Sequence, residues 1–136
     1  ADRLHCLHGR AGAVATGIKR VNPDNLVITY QETEMLQYSI AETTNAAYRN
    51  ENITVITVNN TNFGMTGADG LTTMEGQKTS TTVHGRDCSV TGFPIRFPEL
   101  VASQFHPAYV ARGSVSSPAN IKKTKGHKES TPGSDE

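Results

Sequence analysis

A chain of 136 residues has room for one domain around one modest core. Thirteen basic and thirteen acidic side chains cancel, which leaves no net field to draw the chain to nucleic acid or to an anionic membrane surface. No apolar stretch approaches the roughly 20 residues of a spanning helix, and the N-terminus lacks the apolar centre of a signal peptide. The expectation is therefore a soluble chain with no nucleic-acid and no membrane partner. Hydrophobic residues make up only 35%, which points to a fragment or to a subunit that completes its core against partners.

Residues 9–19 are small and apolar, and their alanines predict a helix. Gly12 and Gly17 cost stability there unless a close-packed neighbour needs them, so both are expected to press against sheet or backbone. Asn22-Pro23-Asp24-Asn25 ends that helix. Residues 26–30 follow as a short buried strand, 31–34 as a polar loop, and 35–49 as a helix with apolar positions at Leu36, Ile40 and Ala47. Residues 53–58, Ile-Thr-Val-Ile-Thr-Val, read as a second buried strand. Strand, helix and strand within about 30 residues predict a βαβ unit with parallel strands and a right-handed crossover.

The second strand runs into Asn59-Asn60-Thr61-Asn62-Phe63-Gly64-Met65-Thr66-Gly67. Amides and glycines at a strand's carboxyl end suit a ligand or metal edge of an α/β sheet, and they equally make ordinary turns. Asn52-Ile53-Thr54 and Asn59-Asn60-Thr61 match the glycosylation sequon, but both adjoin a buried strand and are discounted. From 64 to 92 the chain is rich in Gly, Thr and Ser; its hydroxyls either face solvent or line a polar pocket.

Beyond that, Pro98 leads into a short helix over 99–105, and 108–115 read as a strand. The lysines after Pro118 either cap a helix or touch an acidic partner. With no aromatics between them they do not support nucleic-acid binding. Residues 1–125 are expected to form one α/β domain, and 126–136 a disordered tail.

Cys6 and Cys88 stand far apart, without metal-ligand spacing. Two isolated thiols suit a reducing cytoplasm, and an iron–sulfur cluster, which takes four thiolates, is not held by this chain alone.

Several strings occur in a telling order. His8-Gly9-Arg10-Ala11 precedes Ala15-Thr16-Gly17-Ile18-Lys19-Arg20-Val21-Asn22-Pro23-Asp24; Glu51-Asn52-Ile53-Thr54-Val55-Ile56 leads through Val58-Asn59-Asn60 to Phe63-Gly64-Met65-Thr66-Gly67. Gly76-Gln77-Lys78-Thr79, Gly85-Arg86-Asp87, Phe93-Pro94-Ile95-Arg96, Glu99-Leu100 and Ala108-Tyr109-Val110-Ala111-Arg112 continue the order. Together they resemble the thiamine-diphosphate-binding beta subunit of 2-oxoacid:ferredoxin oxidoreductases, over roughly residues 4–125.

The resemblance implies a partial thiamine-diphosphate-binding fold, α/β, with a mostly parallel sheet flanked by helices and a site at the carboxyl ends of its strands. It implies that Asn60 gives a side-chain oxygen and Asn62 a backbone carbonyl to Mg²⁺, a hard cation that bridges a diphosphate. Gly64, Met65, Thr66 and Gly67 would bring backbone and a hydroxyl to that diphosphate. His8 would lie near the cofactor as the candidate catalytic residue, against the alternative of an ordinary histidine at a helix N-terminus. The implied activity is oxidative decarboxylation of a 2-oxoacid with coenzyme A, together with an alpha-type oxidoreductase subunit. Electrons would pass to ferredoxin through iron–sulfur clusters present only in the complete complex.

The family signature Gly-Asp-Gly-Asp after the first strand is absent; Glu32-Thr33-Glu34-Met35 stand there. Glu32 or Glu34 would have to replace the missing metal-binding Asp, on a longer arm and with Cβ bulk where glycine had none. Asp69 is a further candidate that also reads as a surface turn. A second reading follows, in which the chain is a non-catalytic fragment or degenerate relative that keeps scaffold and partner surface.

Overall fold

The computed structural model describes residues 2–105 and 107–126, with side chains except at 34–36 and 124–126. Helix α1 spans Ala11–Val21, strand β1 Ile28–Glu32, helix α2 Thr33–Tyr48 and strand β2 Thr54–Val58. The two strands pair in parallel, Ile28 with Thr54, Tyr30 with Ile56 and Glu32 with Val58, so the expected βαβ unit is present. A two-residue hairpin follows, β3 (Asn62–Phe63) with β4 (Ala68–Asp69), and then helices α3 (Cys88–Thr91), α4 (Phe97–Gln104) and α5 (Pro118–Gly126). Among the described residues no helix is long and apolar enough to cross a membrane.

Helix α1 packs on α2 through small residues: Gly12, Ala15 and Thr16 are buried, and a Cβ at Gly12 would meet Thr43 at ordinary contact distance. Gly17, by contrast, faces open space, so only one of the two helix glycines is pressed against a neighbour. At Gly9 the structure requires glycine. It has φ +77°, and a Cβ there would come within 2.5 Å of the Tyr38 Cβ and 2.9 Å of the Tyr38 carbonyl carbon. Helix α2 is sealed on its other face by α4, where Phe97 and Val101 bury against Ile40 and Ala47. Two β-branched residues inside α2 are accommodated: Thr43 is buried beside the Ser39 hydroxyl, and the Thr44 hydroxyl donates to the Ile40 carbonyl at 2.6 Å.

Several sequence expectations are corrected. The polar loop over 31–34 does not exist: Gln31 and Glu32 end β1 and Thr33 starts α2 directly. Neither strand is buried as a whole. Side chains alternate across a strand, and β1 turns Ile28 and Tyr30 outward while Thr29 and Gln31 face the helices. Ile56 and Val58 share the outer face of the sheet and are exposed with them. Residues 108–115 form no strand, since no described strand lies beside them to accept their hydrogen bonds. The lysine-bearing segment after Pro118 is helix α5. The expected tail lies outside the described residues except for Gly126, which ends α5.

The inward-facing polar pair has an energetic consequence. The Thr29 hydroxyl and both amide atoms of Gln31 are buried without a hydrogen-bond partner among the described residues. A buried unpaired polar group costs more than an apolar group of the same shape. Gln31→Leu is therefore expected to stabilise the fold by about 1 kcal/mol, read as a higher denaturant midpoint at unchanged slope.

Glu51 closes the two helix ends. Its carboxylate takes the Arg20 guanidinium at the end of α1 and Arg49 Nε, at 2.8 Å, just after α2. The bonds from Arg20, then from Arg49, hold the Glu51 carboxyl below its ordinary range. A lowered folded pKa stabilises above the unfolded value and is lost as pH falls through the folded value. Stability is expected to decline on acidification below the ordinary glutamate value of about 4.3, and less steeply in Glu51→Gln, as followed by thermal unfolding across pH.

Candidate functional site

The parallel pair delivers two segments to one edge. Glu32 closes β1 opposite Val58, and two residues past Val58 stands Asn60. Helix α2 leaves from the same edge with Glu32 as its N-cap, whose side chain makes no capping bond. A 16-residue helix opening there presents N–H groups that have no partner inside the helix, and the positive end of its dipole. That is a general anion site at the carboxyl end of a sheet.

The two asparagines divide their work. Asn59 is structural: its Oδ1 accepts from the Thr33 hydroxyl at 3.2 Å, the Thr72 hydroxyl at 2.7 Å and the Thr61 N–H at 3.0 Å. Thr33, 2% exposed, also donates to the Val58 carbonyl at 2.9 Å, so its hydroxyl stitches the ends of β1 and β2. Asn60 is exposed and its amide makes no hydrogen bond with the described residues. Thr61 then adopts φ +66°, a conformation that costs a β-branched residue about 1–3 kcal/mol.

The Gly64-Met65-Thr66-Gly67 run is the tip of the β3–β4 hairpin. The Gly67 N–H closes it onto the Phe63 carbonyl at 2.9 Å, with Gly67 at φ +80°. Met65 and Thr66 are exposed, and Gly64 and Gly67 have open space where a Cβ would sit. Phe63 is buried edge-on against Tyr38, ring centroids 6.0 Å apart. Since Gly9 rests on Tyr38, the segment bearing His8 and the hairpin meet opposite parts of one α2 residue. His8 itself is exposed. Asn62 sits in β3, its amide donating to the Ser80 hydroxyl at 2.9 Å.

The Thr-rich stretch after the hairpin is tied inward. Thr73 is fully buried and its hydroxyl donates to the Thr61 carbonyl; the Gln77 amide donates to the Thr61 hydroxyl at 3.1 Å. Thr82 donates to Asp69, and Thr81 to the Ala68 carbonyl at 3.0 Å. Arg86, 4% exposed, gives its guanidinium to the carbonyls of Gly70, Thr91 and Gly92, the last at 2.7 Å. Asp69, Thr81, Thr82, Arg86 and Thr91 line a cavity of about 470 Å³ that reaches Gln37 on α2. Of the two readings of this stretch, solvent-facing hydroxyls or a polar lining, the hydroxyls of Thr81 and Thr82 take the second. Nothing in a single sequence distinguishes Thr73 from Thr72, or marks Arg86 as buried.

Cys88 is buried, and the Glu75 carboxylate beside it, then burial, push its thiol up; it is no thiolate at neutral pH. Cys6 is exposed, and both cysteines are free. Among the described residues no three His, Cys, Asp or Glu side chains gather for a metal.

A carboxylate from Glu32 and an unpaired amide from Asn60 are the oxygen donors that Mg²⁺ takes, and the open N-terminus of α2 and the uncrowded glycines suit a diphosphate. Thr33 works the other way, because its side chain fills the corner between strand and helix. The Glu34 side chain lies outside the described ones. On balance the residues present fit the pair.

The chain matches the family described as the thiamine pyrophosphate enzyme C-terminal TPP-binding domain over residues 1–131. It belongs to that family. Among curated proteins it is similar to ketoisovalerate oxidoreductase subunit VorA of Methanothermobacter thermautotrophicus, 39% identical over 120 residues, which are 87% of this chain and 25% of VorA. It is also similar to 2-oxoglutarate synthase subunit KorB of Archaeoglobus fulgidus, 37% over 86 residues, 62% of this chain and 32% of KorB. A third relative is the 2-oxoacid:ferredoxin oxidoreductase subunit beta of Saccharolobus solfataricus, 34% over 76 residues, 55% of this chain and 25% of the relative. The chain thus spans a quarter to a third of these relatives' length. No solved structure matches it. The α/β fold and the resemblance read from the sequence agree with the family.

Proposed function

We propose that the chain is the thiamine-diphosphate half-site of a beta-type subunit of a 2-oxoacid:ferredoxin oxidoreductase, acting through residues 1–125 as one domain in the cytoplasm. The observation that carries this reading is the exposed Asn60 amide, bonded to no described residue and standing two residues past Val58, whose strand partner Glu32 is the N-cap of α2. Asn60, Asn62 through its carbonyl, and Glu32 or Glu34 hold Mg²⁺. The N–H groups of α2 and the backbone of Gly64, Met65, Thr66 and Gly67 hold the diphosphate. His8 orients substrate or phosphate. When bound, thiamine diphosphate supplies a carbanion that adds to the 2-oxoacid carbonyl and holds the electron pair left by loss of CO₂.

The partner subunits supply the rest. An alpha-type subunit covers the pyrimidine side of the cofactor, coenzyme A takes the acyl group, and iron–sulfur clusters of the complete complex pass electrons to ferredoxin. The exposed face of Ile28, Tyr30, Ile56 and Val58 supports assembly into a larger body, since parallel sheets are normally covered on both faces. The relatives' names favour this reading over the non-catalytic scaffold. The test is reconstitution with the alpha-type subunit and the clusters. Reduction of ferredoxin that requires 2-oxoisovalerate or 2-oxoglutarate, coenzyme A and thiamine diphosphate supports it. An assembled complex inert with every 2-oxoacid would return the chain to the scaffold reading.

A further inference from the structure

We infer that Thr73, assisted by Gln77, is a positioning residue for the metal ligands: by gripping Thr61 it fixes the direction in which Asn60 and Asn62 are presented. The inference rests on the cofactor reading above. Thr61 is the single residue between the two proposed ligands, and it stands at φ +66°, where a branched side chain does not stay unless its surroundings hold it.

Each polar group of Thr61 is held. Its N–H donates to Asn59 Oδ1 at 3.0 Å, its carbonyl accepts from the Thr73 hydroxyl, and its own hydroxyl accepts from Gln77 Nε2 at 3.1 Å. Gln77 is anchored in turn, its Oε1 accepting from the Met74 N–H at 2.9 Å. Gly70 closes the remaining side: a Cβ there would lie 3.0 Å from the Thr61 carbonyl carbon and oxygen, and the Gly70 carbonyl is itself held by buried Arg86.

Thr73 has no exposed surface and reaches no ligand, so it acts only through Thr61. Releasing the grip lets Thr61 relax toward negative φ, which swings Asn60 against Asn62. A metal that needs both oxygens then binds less well, while the diphosphate's contacts with α2 are untouched. Outer-shell partners of this kind are worth roughly 10- to 100-fold in metal affinity.

The experiment measures the Mg²⁺ concentration that half-saturates thiamine-diphosphate binding to the full chain. Thr73→Val, isosteric but without the donor, is expected to raise it roughly 10-fold or more and to leave cofactor affinity at saturating Mg²⁺ nearly unchanged. Thr73→Ser restores the wild-type value. Gln77→Leu, on the half-exposed side, moves it in the same direction and guards against misfolding of the valine variant. In a Thr61→Gly background, where positive φ carries no penalty, Thr73→Val has a smaller effect.

An unchanged half-saturation in folded Thr73→Val and Gln77→Leu overturns the inference. So does a rise that serine fails to reverse. Failure of the cofactor reading looks different, since wild type then binds neither Mg²⁺ nor cofactor. NMR shifts of the Asn60 and Asn62 amides in Thr73→Val, reversed by serine, would still register the grip.

Discussion

Arg86→Met is expected to destabilise the fold by about 3 kcal/mol, lowering the melting temperature by roughly 10 °C. The guanidinium is almost wholly buried and has no carboxylate partner among the described ion pairs; its charge is satisfied by the carbonyls of Gly70, Thr91 and Gly92. Hydrogen bonds to a charged group contribute more than neutral ones, and the lost desolvation cost of the charge offsets only part of them. The Gly70 carbonyl keeps only the Thr73 N–H, at 3.2 Å. Lysine does not rescue, because one ammonium cannot reproduce a fork that spans two separated segments. Denaturant titration checks this, with a lower midpoint at unchanged slope expected.

The second large effect is on binding alone. Asn60→Ala is expected to weaken Mg²⁺-dependent thiamine-diphosphate binding by about 100-fold, on the order of 2.7 kcal/mol, with the melting temperature unchanged. The separation follows from geometry: the Asn60 amide is exposed and bonds to no described residue, whereas its neighbour Asn59 holds Thr33, Thr61 and Thr72. Asn59→Ala is the contrasting variant, since it loosens the seam between the strand ends as well as the loop. Calorimetric titration and thermal melts on the same two proteins distinguish a ligand from a staple.

Periodicity and punctuation made the βαβ frame legible. The alanine-rich start gave α1, Asn22-Pro23 its end, Pro98 the entry to α4, and the apolar run before Asn59 gave β2. What the pattern could not give was direction. Apolar residues in β1 were read as buried, yet Ile28 and Tyr30 face outward and the polar Thr29 and Gln31 face the helices. A sheet of two strands has one uncovered face, and hydrophobicity alone does not tell which.

The strand read over 108–115 failed for a related reason: a strand is a property of a pair, and its composition says nothing about a neighbour. At the candidate site, the strand-end position of Asn60 and the hairpin glycines followed from order along the chain. The grip on Thr61 did not, because it depends on a hydroxyl and an amide that return from twelve and sixteen residues away. One threonine in a Thr-rich stretch looks like another until the fold brings one of them inside.

The proposed function places a magnesium–diphosphate at the carboxyl edge of β1 and β2. Calorimetric titration of thiamine diphosphate into the folded chain, with and without Mg²⁺ and with and without the alpha-type subunit, tests it most directly. Near-stoichiometric binding that requires Mg²⁺ and is lost in Asn60→Ala is the expected result. A folded chain that binds no cofactor in either setting, or binds it equally well without Mg²⁺, would contradict the account.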